Sequence, residues 1–301
     1  QWRAVPDGGR PTIEISTPAG AAVSIRIAWK GSAVTDKPPA AIVAQSPAKP
    51  ALDWTAPIAA TFDTVDLTAR FNDRVSAIFA PGKYLSPRSP GVSLSLPSQG
   101  IGAWAGHATL LPEIDDTGLR QASAAHGGKI VMPNGVPFAT PGTGDAANIV
   151  FTSQWDNYPH EATIPLNGQA RHLYLLMAGS TNPMQSHLDN GEVVVTYADG
   201  STARLALSNP ETWWPIEQDY FIDDYQFRDE APLPPRIDLK TGQIRLLDPA
   251  TFKGRGGTVD GGAATVLDLP LDPAKPLRSL TVRTLSNDVV IGLMSATLQR
   301  P

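Results

Sequence analysis

A chain of 301 residues with 42% apolar content is long enough to bury a substantial core, as one large β-sandwich or two smaller domains, and is not a disordered polymer. Its net charge of −5, with Lys and Arg scattered rather than blocked, leaves nucleic-acid binding without its usual electrostatic source of affinity. The absence of cysteine removes disulfides, thiolate nucleophiles and thiolate metal sites together, so stability must come from packing.

The 29 prolines and 26 glycines fall short of low complexity but signal many turns between short strands, the composition of an all-β chain. No apolar run approaches the roughly 20 residues of a membrane span, so no membrane span is expected. The start, QWRAVPDGGR, lacks a charged segment followed by a hydrophobic one. The expectation is that a signal peptide has been removed or that the chain is a piece of a longer polypeptide.

In chain order, 12–30 predicts a hairpin, with Ile13 and Ile15 alternating before a turn at Pro18-Ala19-Gly20 and Val23, Ile25 and Ile27 after it. Residues 31–60 are rich in Ala and Pro without sustained periodicity and read as an extended linker. Strands are expected at 62–67 and 71–79, and the stretch 80–148 reads as loop-heavy, the kind of segment that carries function. The most informative stretch is 171–220. Val193, Val195 and Tyr197 alternate with Glu192, Val194 and Thr196, the chain reverses at Asp199-Gly200, and Ala203, Leu205 and Leu207 resume the pattern. This is a hairpin. Further strands are expected near 237–247, and Ala264–Leu269 is expected to pair with Leu280–Leu285 before a closing strand at Val289–Leu293. No segment carries a 3.6-residue stripe over 12 or more residues, and no internal repeat is present.

The ordered set FNDRVSAIF, YLSPRSP, QGIGAW, EIDDTGLR, FTSQWDNYP, YLLMAGSTNPMQSHLDNGEVVVTYADG and NPETWWPIEQDYF, over roughly 62–228, resembles the C-terminal region of large bacterial polysaccharide-utilisation proteins. These carry a domain of unknown function and are treated as glycoside hydrolases. The closing segment LDLPLDPAKPLRSLTVRTLSNDVVIGLMSATL is similar to the last strands of galactose-binding-like jelly rolls appended to such enzymes. The resemblance implies a secreted or periplasmic protein handling plant or microbial glycans, and it supplies no established catalytic pair. Family members carry a helical toroid ahead of this region; nothing in the 301 residues reads as one.

Site candidates follow from the residues themselves. Trp213 and Trp214 stand in a run of carboxylates, and in an extended chain neighbouring side chains point to opposite faces, so one of the pair is expected at the surface or in a pocket as a platform for a sugar ring, the alternative being that both are partly buried packing residues. Trp104, in a glycine-rich loop, and Trp155, beside Asp156, are further apolar candidates; Asp156, Glu217 and Asp219 are the polar ones. Glycosidic hydrolysis needs two carboxyls. A pair drawn from the 113–116 and 217–224 loops, with Asp116 and Glu217 foremost, is therefore the enzymatic alternative. Asp115-Asp116 and Asp223-Asp224 are the oxygen-rich pairs that would suit a structural Ca²⁺, the only cofactor considered. Arg88, between two Ser-Pro pairs, is a candidate for an acidic sugar or a structural salt bridge. His107, His126, His160, His172 and His187 fit no zinc spacing, and there is no GxSxG elbow or P-loop.

The expected architecture is an all-β, jelly-roll-like antiparallel sandwich with long loops over 56–301, preceded by a short hairpin and Pro/Ala-rich linker over 1–55. The expected function is carbohydrate binding as an accessory region of a secreted or periplasmic glycoside hydrolase, with a glycan and a catalytic domain of the same longer protein as partners. A third reading makes the sandwich a structural support or dimerisation module that touches no ligand.

Overall fold

The computed structural model describes residues 2–7, 10–15, 52–80, 85–86, 89–93, 113–142, 144–155, 157–181, 188–209, 211–219, 233–247, 258–287 and 289–301. The chain divides into two compact units, 1–50 and 51–301. In the first, β1 (Trp2–Asp7) and β2 (Arg10–Ile15) pair antiparallel, Asp7 opposite Arg10. The hairpin is thus one strand earlier than predicted; the expected partner strand at 23–27 lies outside the described residues.

The second unit is an all-β sandwich. It opens with β3 (Phe62–Thr64), followed by a backbone pair of β4 (Leu85–Ser86) and β5 (Ser89–Ser93). Helix α1 (Thr117–Ala125) precedes a small hairpin of β6 (Lys129–Val131) and β7 (Pro137–Ala139). Then come β8 (Val150–Ser153), β9 (Glu161–Pro165), β10 (His172–Thr181), β11 (Asp189–Tyr197) and β12 (Thr202–Ser208). The chain ends with β13 (Arg236–Asp238), β14 (Ile244–Arg245), β15 (Ala263–Pro270), β16 (Leu277–Thr284) and β17 (Val289–Gln299). One sheet has the order β14-β13-β15-β10-β17-β3, with β8 also paired to β17; the other has the order β12-β11-β16-β9.

The larger sheet is buried on both faces. On β10, Leu173, Leu175 and Met177 enter the core shared with the smaller sheet, where they meet Val193, Val195, Leu280 and Val282. Tyr174, Leu176 and Ala178, on the opposite face, enter a second core with Leu119 of α1, Ile130 of β6, Phe138 of β7 and Val75. Within the stretch that reads as loop-heavy, the described residues 117–139 therefore form a third layer, a helix-and-hairpin cover. A strand apolar on both sides reads as a continuous run rather than an alternation, as LYLLMAG does.

The smaller sheet keeps one wet face, and there the predicted alternation of β11 and β12 holds. Its outward charges form a cross-strand row: Arg283 bonds Glu161 at 2.7 Å and Glu192 at 3.0 Å, and Arg204 bonds Glu192 at 2.6 Å. Such half-exposed pairs add little stability individually, but opposite charges across neighbouring strands help fix register.

Two expectations are corrected. Residues 71–79 form no strand; Val75–Ala77 is a 3-10 turn whose Val75 and Ile78 plug the cover. Strands β15 and β16 do not pair with each other. β15 lies between β13 and β10, β16 between β11 and β9, and the Leu271–Pro276 connection crosses from one sheet to the other. Both carry an apolar face aimed into the shared core, Leu267 and Leu269 against Leu280 and Val282, so they oppose each other across it.

Close packing at the central sheet demands a missing side chain at Gly179 on β10. A Cβ there would lie 2.1 Å from the Val290 carbonyl oxygen and 2.8 Å from the Trp213 ring. Backbone on one side and a buried indole on the other leave little room to relax. Gly179→Ala is expected to destabilise the fold by more than about 2 kcal/mol, read as a lowered denaturation midpoint; an unchanged midpoint would show that the strand and indole can move apart.

Candidate functional site

The segment after β12 crosses the end of the larger sheet. The Trp213 amide donates to Ser208 O at 3.1 Å, Asn209 Nδ2 donates to Trp213 O at 3.0 Å, and Ile216 N–H donates to Gly179 O at 2.7 Å. Trp213, Trp214 and Ile216 then enter three different apolar clusters. Trp213 joins the core between the sheets, Ile216 the core beneath the cover, and Trp214 a small cluster with Leu233 and Leu247. The two indoles do point apart, but the expectation that one reaches the surface is corrected: both are buried, at 0% and 1% exposure. The reason is that the chain passes between two apolar layers instead of along the rim of one.

The carboxylates of this segment are equally committed. Asp219, 8% exposed, receives a two-pronged bond from Arg245, at 2.7 and 3.1 Å, and Arg245 Nε donates to Asp238 at 2.7 Å. Arg236 is fully buried. Its guanidinium donates to Pro215 O at 2.9 Å, Ala263 O at 3.0 Å and Thr265 Oγ1 at 3.2 Å, lies 5.5 Å from the centre of the Trp214 ring, and brings Nε to 3.7 Å from Asp219. Burial lowers its pKa to about 10, opposed chiefly by the Asp219 charge, so it remains a cation at neutral pH. Glu217, 5% exposed, faces Ser180 Oγ at 3.2 Å from each carboxyl oxygen.

The first acidic pair diverges. Asp115 accepts the Thr117 amide at 3.0 Å at the start of α1, and those bonds hold its carboxyl below the usual range. Asp116 is buried and takes Arg120 Nε at 2.9 Å and Asn148 Nδ2 at 2.7 Å. The 113–116 and 217–219 segments do converge, since Asp115 N–H donates to Gly261 O and Val259 N–H donates to Glu217 O. Yet Asp116 and Glu217 each turn onto separate buried partners. Among the described residues no group of three His, Cys, Asp or Glu could hold a metal ion, and no helix is long and apolar enough to cross a membrane.

Trp155 is half-buried against the cover core, its amide bonded to Ser153 Oγ at 2.9 Å. Trp104, Asp156, Arg88, Asp223, Asp224, His107 and His187 lie outside the described residues. His126 places Nδ1 2.8 Å from Ala122 O on α1, and His172 stacks on Tyr174 at 5.6 Å.

An indole that the linker reading passed over is better placed. Trp54, half-buried, stands edge-on to Tyr174 at 6.0 Å and forms one wall of a groove of about 240 Å³. Leu52, Leu233, Pro235, Leu246 and Leu247 line it as well, with Asp53 and Thr55 next to Trp54 in the chain. Asp53 Oδ1 accepts the Thr55 amide at 2.8 Å and its hydroxyl at 2.6 Å, a turn that fixes the direction of Trp54 and keeps the carboxyl below its usual range. Tyr174 beneath it donates to Gln299 at 2.8 Å; burial, with the Asp268 charge, pushes its phenol up to about 12, so it stays a neutral donor. Leu233 and Leu247 wall the groove and also cover Trp214, which joins the groove to the buried Arg236 and Asp219 network. The sequence signal for Trp54 is Asp53-x-Thr55, a turn-forming spacing inside otherwise featureless Pro/Ala-rich chain.

No protein-family model matches the chain, and no curated protein is significantly similar to it.

The Arg236 and Asp219 network predicts a steep dependence on its acid. Asp219→Ala leaves a fully buried guanidinium without its compensating charge and should cost about 3–5 kcal/mol in denaturant unfolding. A loss under about 1 kcal/mol would mean the backbone carbonyls and Trp214 alone suffice to hold Arg236.

Proposed function

We propose that the chain is the carbohydrate-binding accessory region of a secreted or periplasmic bacterial glycoside hydrolase, with its sugar site at the Trp54 groove. The observation that carries this reading is a half-buried indole set by an Asp-x-Thr turn, in a groove lined by leucines and a proline, with a carboxylate and hydroxyl beside it. A pyranose has one apolar face of C–H groups and a rim of hydroxyls, which suits an aromatic wall with few polar groups at its edge. At about 240 Å³ the groove is smaller than most small-molecule pockets, which limits it to a small ligand or the end of a larger one. The alternative of a hydrolytic pair built on Asp116 and Glu217 is less favoured, since both carboxyls are buried on other partners and neither lines the groove. Hydrolysis needs carboxyls that flank the scissile bond.

Fluorescence titration against a panel of neutral oligosaccharides tests this. Trp54→Ala is expected to weaken binding about tenfold, the loss of one stacking contact of roughly 1.4 kcal/mol, whereas Asp116→Asn leaves affinity unchanged. Binding should vary little with salt, because no ion pair recognises a neutral sugar. The reading fails if no oligosaccharide perturbs the emission, the outcome that the structural-support alternative anticipates. Turnover lost in Glu217→Gln with binding retained would favour the hydrolase instead.

A further inference from the structure

Glu217 is a buried carboxyl, 5% exposed, and loss of water favours its neutral acid. Its side-chain partner among the described residues is the Ser180 hydroxyl, 3.2 Å from each oxygen. The charges around it are engaged elsewhere. From β13, Arg236 directs its N–H groups to Pro215 O, Ala263 O and Thr265 Oγ1 and its Nε toward Asp219; on the same segment, Asp219 is closed by Arg245, which also holds Asp238. From the 258–262 segment, Asp260 bonds Lys240 at 2.7 Å, and from β10 the neighbours are hydroxyls, with Thr181 donating to Asn190. No cation among the described residues donates a hydrogen bond to Glu217.

The backbone of the same residue is structural. Val259 N–H donates to Glu217 O at 2.9 Å, Ala263 N–H to Ile216 O at 2.8 Å and Ile216 N–H to Gly179 O at 2.7 Å, and Gln218 bridges Thr258. The side chain and main chain of one short segment are thus seated together against β10 and the 258–263 segment.

We propose that Glu217 is a proton-operated latch: as the neutral acid it seats the 216–219 segment, and as the carboxylate it loosens that seat. Burial raises its carboxyl from 4.5 to about 7, against the opposing pull of its own backbone amide, the Ser180 hydroxyl and the Arg236 charge. The seated form therefore binds the proton more tightly than the open one. Its contribution is complete below about 4.5 and is lost as pH rises through about 7.

Hydrogen exchange in the intact chain tests the latch, following the Ile216, Val259 and Ala263 amides from pH 5 to 8.5 after correction for intrinsic base catalysis, with the Leu175 amide of β10 as control. In the wild type, protection of the three amides should fall by up to about tenfold per pH unit toward pH 7 and then level off, while that of Leu175 stays constant. Glu217→Gln, which keeps the shape and cannot ionise, should give a flat profile. Ser180→Ala keeps the carboxyl and removes a donor that favours the ion, so the fall should continue to higher pH before it levels off. Matching pH profiles in the wild type and Glu217→Gln overturn the latch, as does a parallel loss of protection at Leu175. If Glu217→Gln does not fold, an unshifted Ser180→Ala profile overturns it.

Discussion

Burial of the central sheet on both faces sets the terms for the rest of this molecule. Away from their ends, β10 and its neighbours β15 and β17 are buried on both sides, so their backbone polar groups must be satisfied within the ladder and their side chains must pack. The smaller sheet covers one face; α1, the β6-β7 hairpin and the 3-10 turn at Val75 cover the other. Close approach is bought with missing side chains: at Gly292 on β17, as at Gly179, a Cβ would meet backbone, here the Ala178 carbonyl at 2.4 Å. The double-faced core also explains why the segment carrying Trp213 and Trp214 has no wet side to present.

Where the crossing segment meets β13 and β14, charge gathers in buried and half-buried positions. Asp238, Arg245, Asp219 and Arg236 form a continuous chain that ends on the Trp214 ring. Buried ions repay their desolvation only when geometry and hydrogen bonding are good; Arg236 bonds two carbonyls and a threonine, while its Nε faces Asp219 at 3.7 Å without a hydrogen bond. The network does more to fix the placement of β13 and the 215–219 segment than to add net stability. Because Leu233 and Leu247 both cover Trp214 and wall the groove, the network also sets the shape of the proposed binding surface from below.

Much of the strand layer was legible in residue order. The β11-β12 hairpin declares itself through period-two alternation and Asp199-Gly200, where Gly200 adopts φ 83°. α1 was missed because nine residues, TGLRQASAA, are too few and too polar to display a helical stripe. The site was less legible. A tryptophan beside carboxylates looks the same whether it lines a groove or plugs a core, and Trp213, Trp214, Glu217 and Asp219 are all core residues. Trp54 was hidden for the opposite reason, since a linker-like composition conceals a residue whose value comes from Tyr174, 120 positions away.

The sequence by itself determined local matters: the all-β class, the hairpin and its facing, the turns, and the absence of thiol chemistry. These depend on neighbouring residues, where alternation and turn propensity act directly. Only the tertiary structure decided which strands share a sheet, that β15 and β16 face each other across the core, which indole borders a groove, and which carboxyl is stripped of water. Those outcomes rest on contacts between residues far apart in the chain, and burial, unlike turn formation, has no signature that one segment can carry alone.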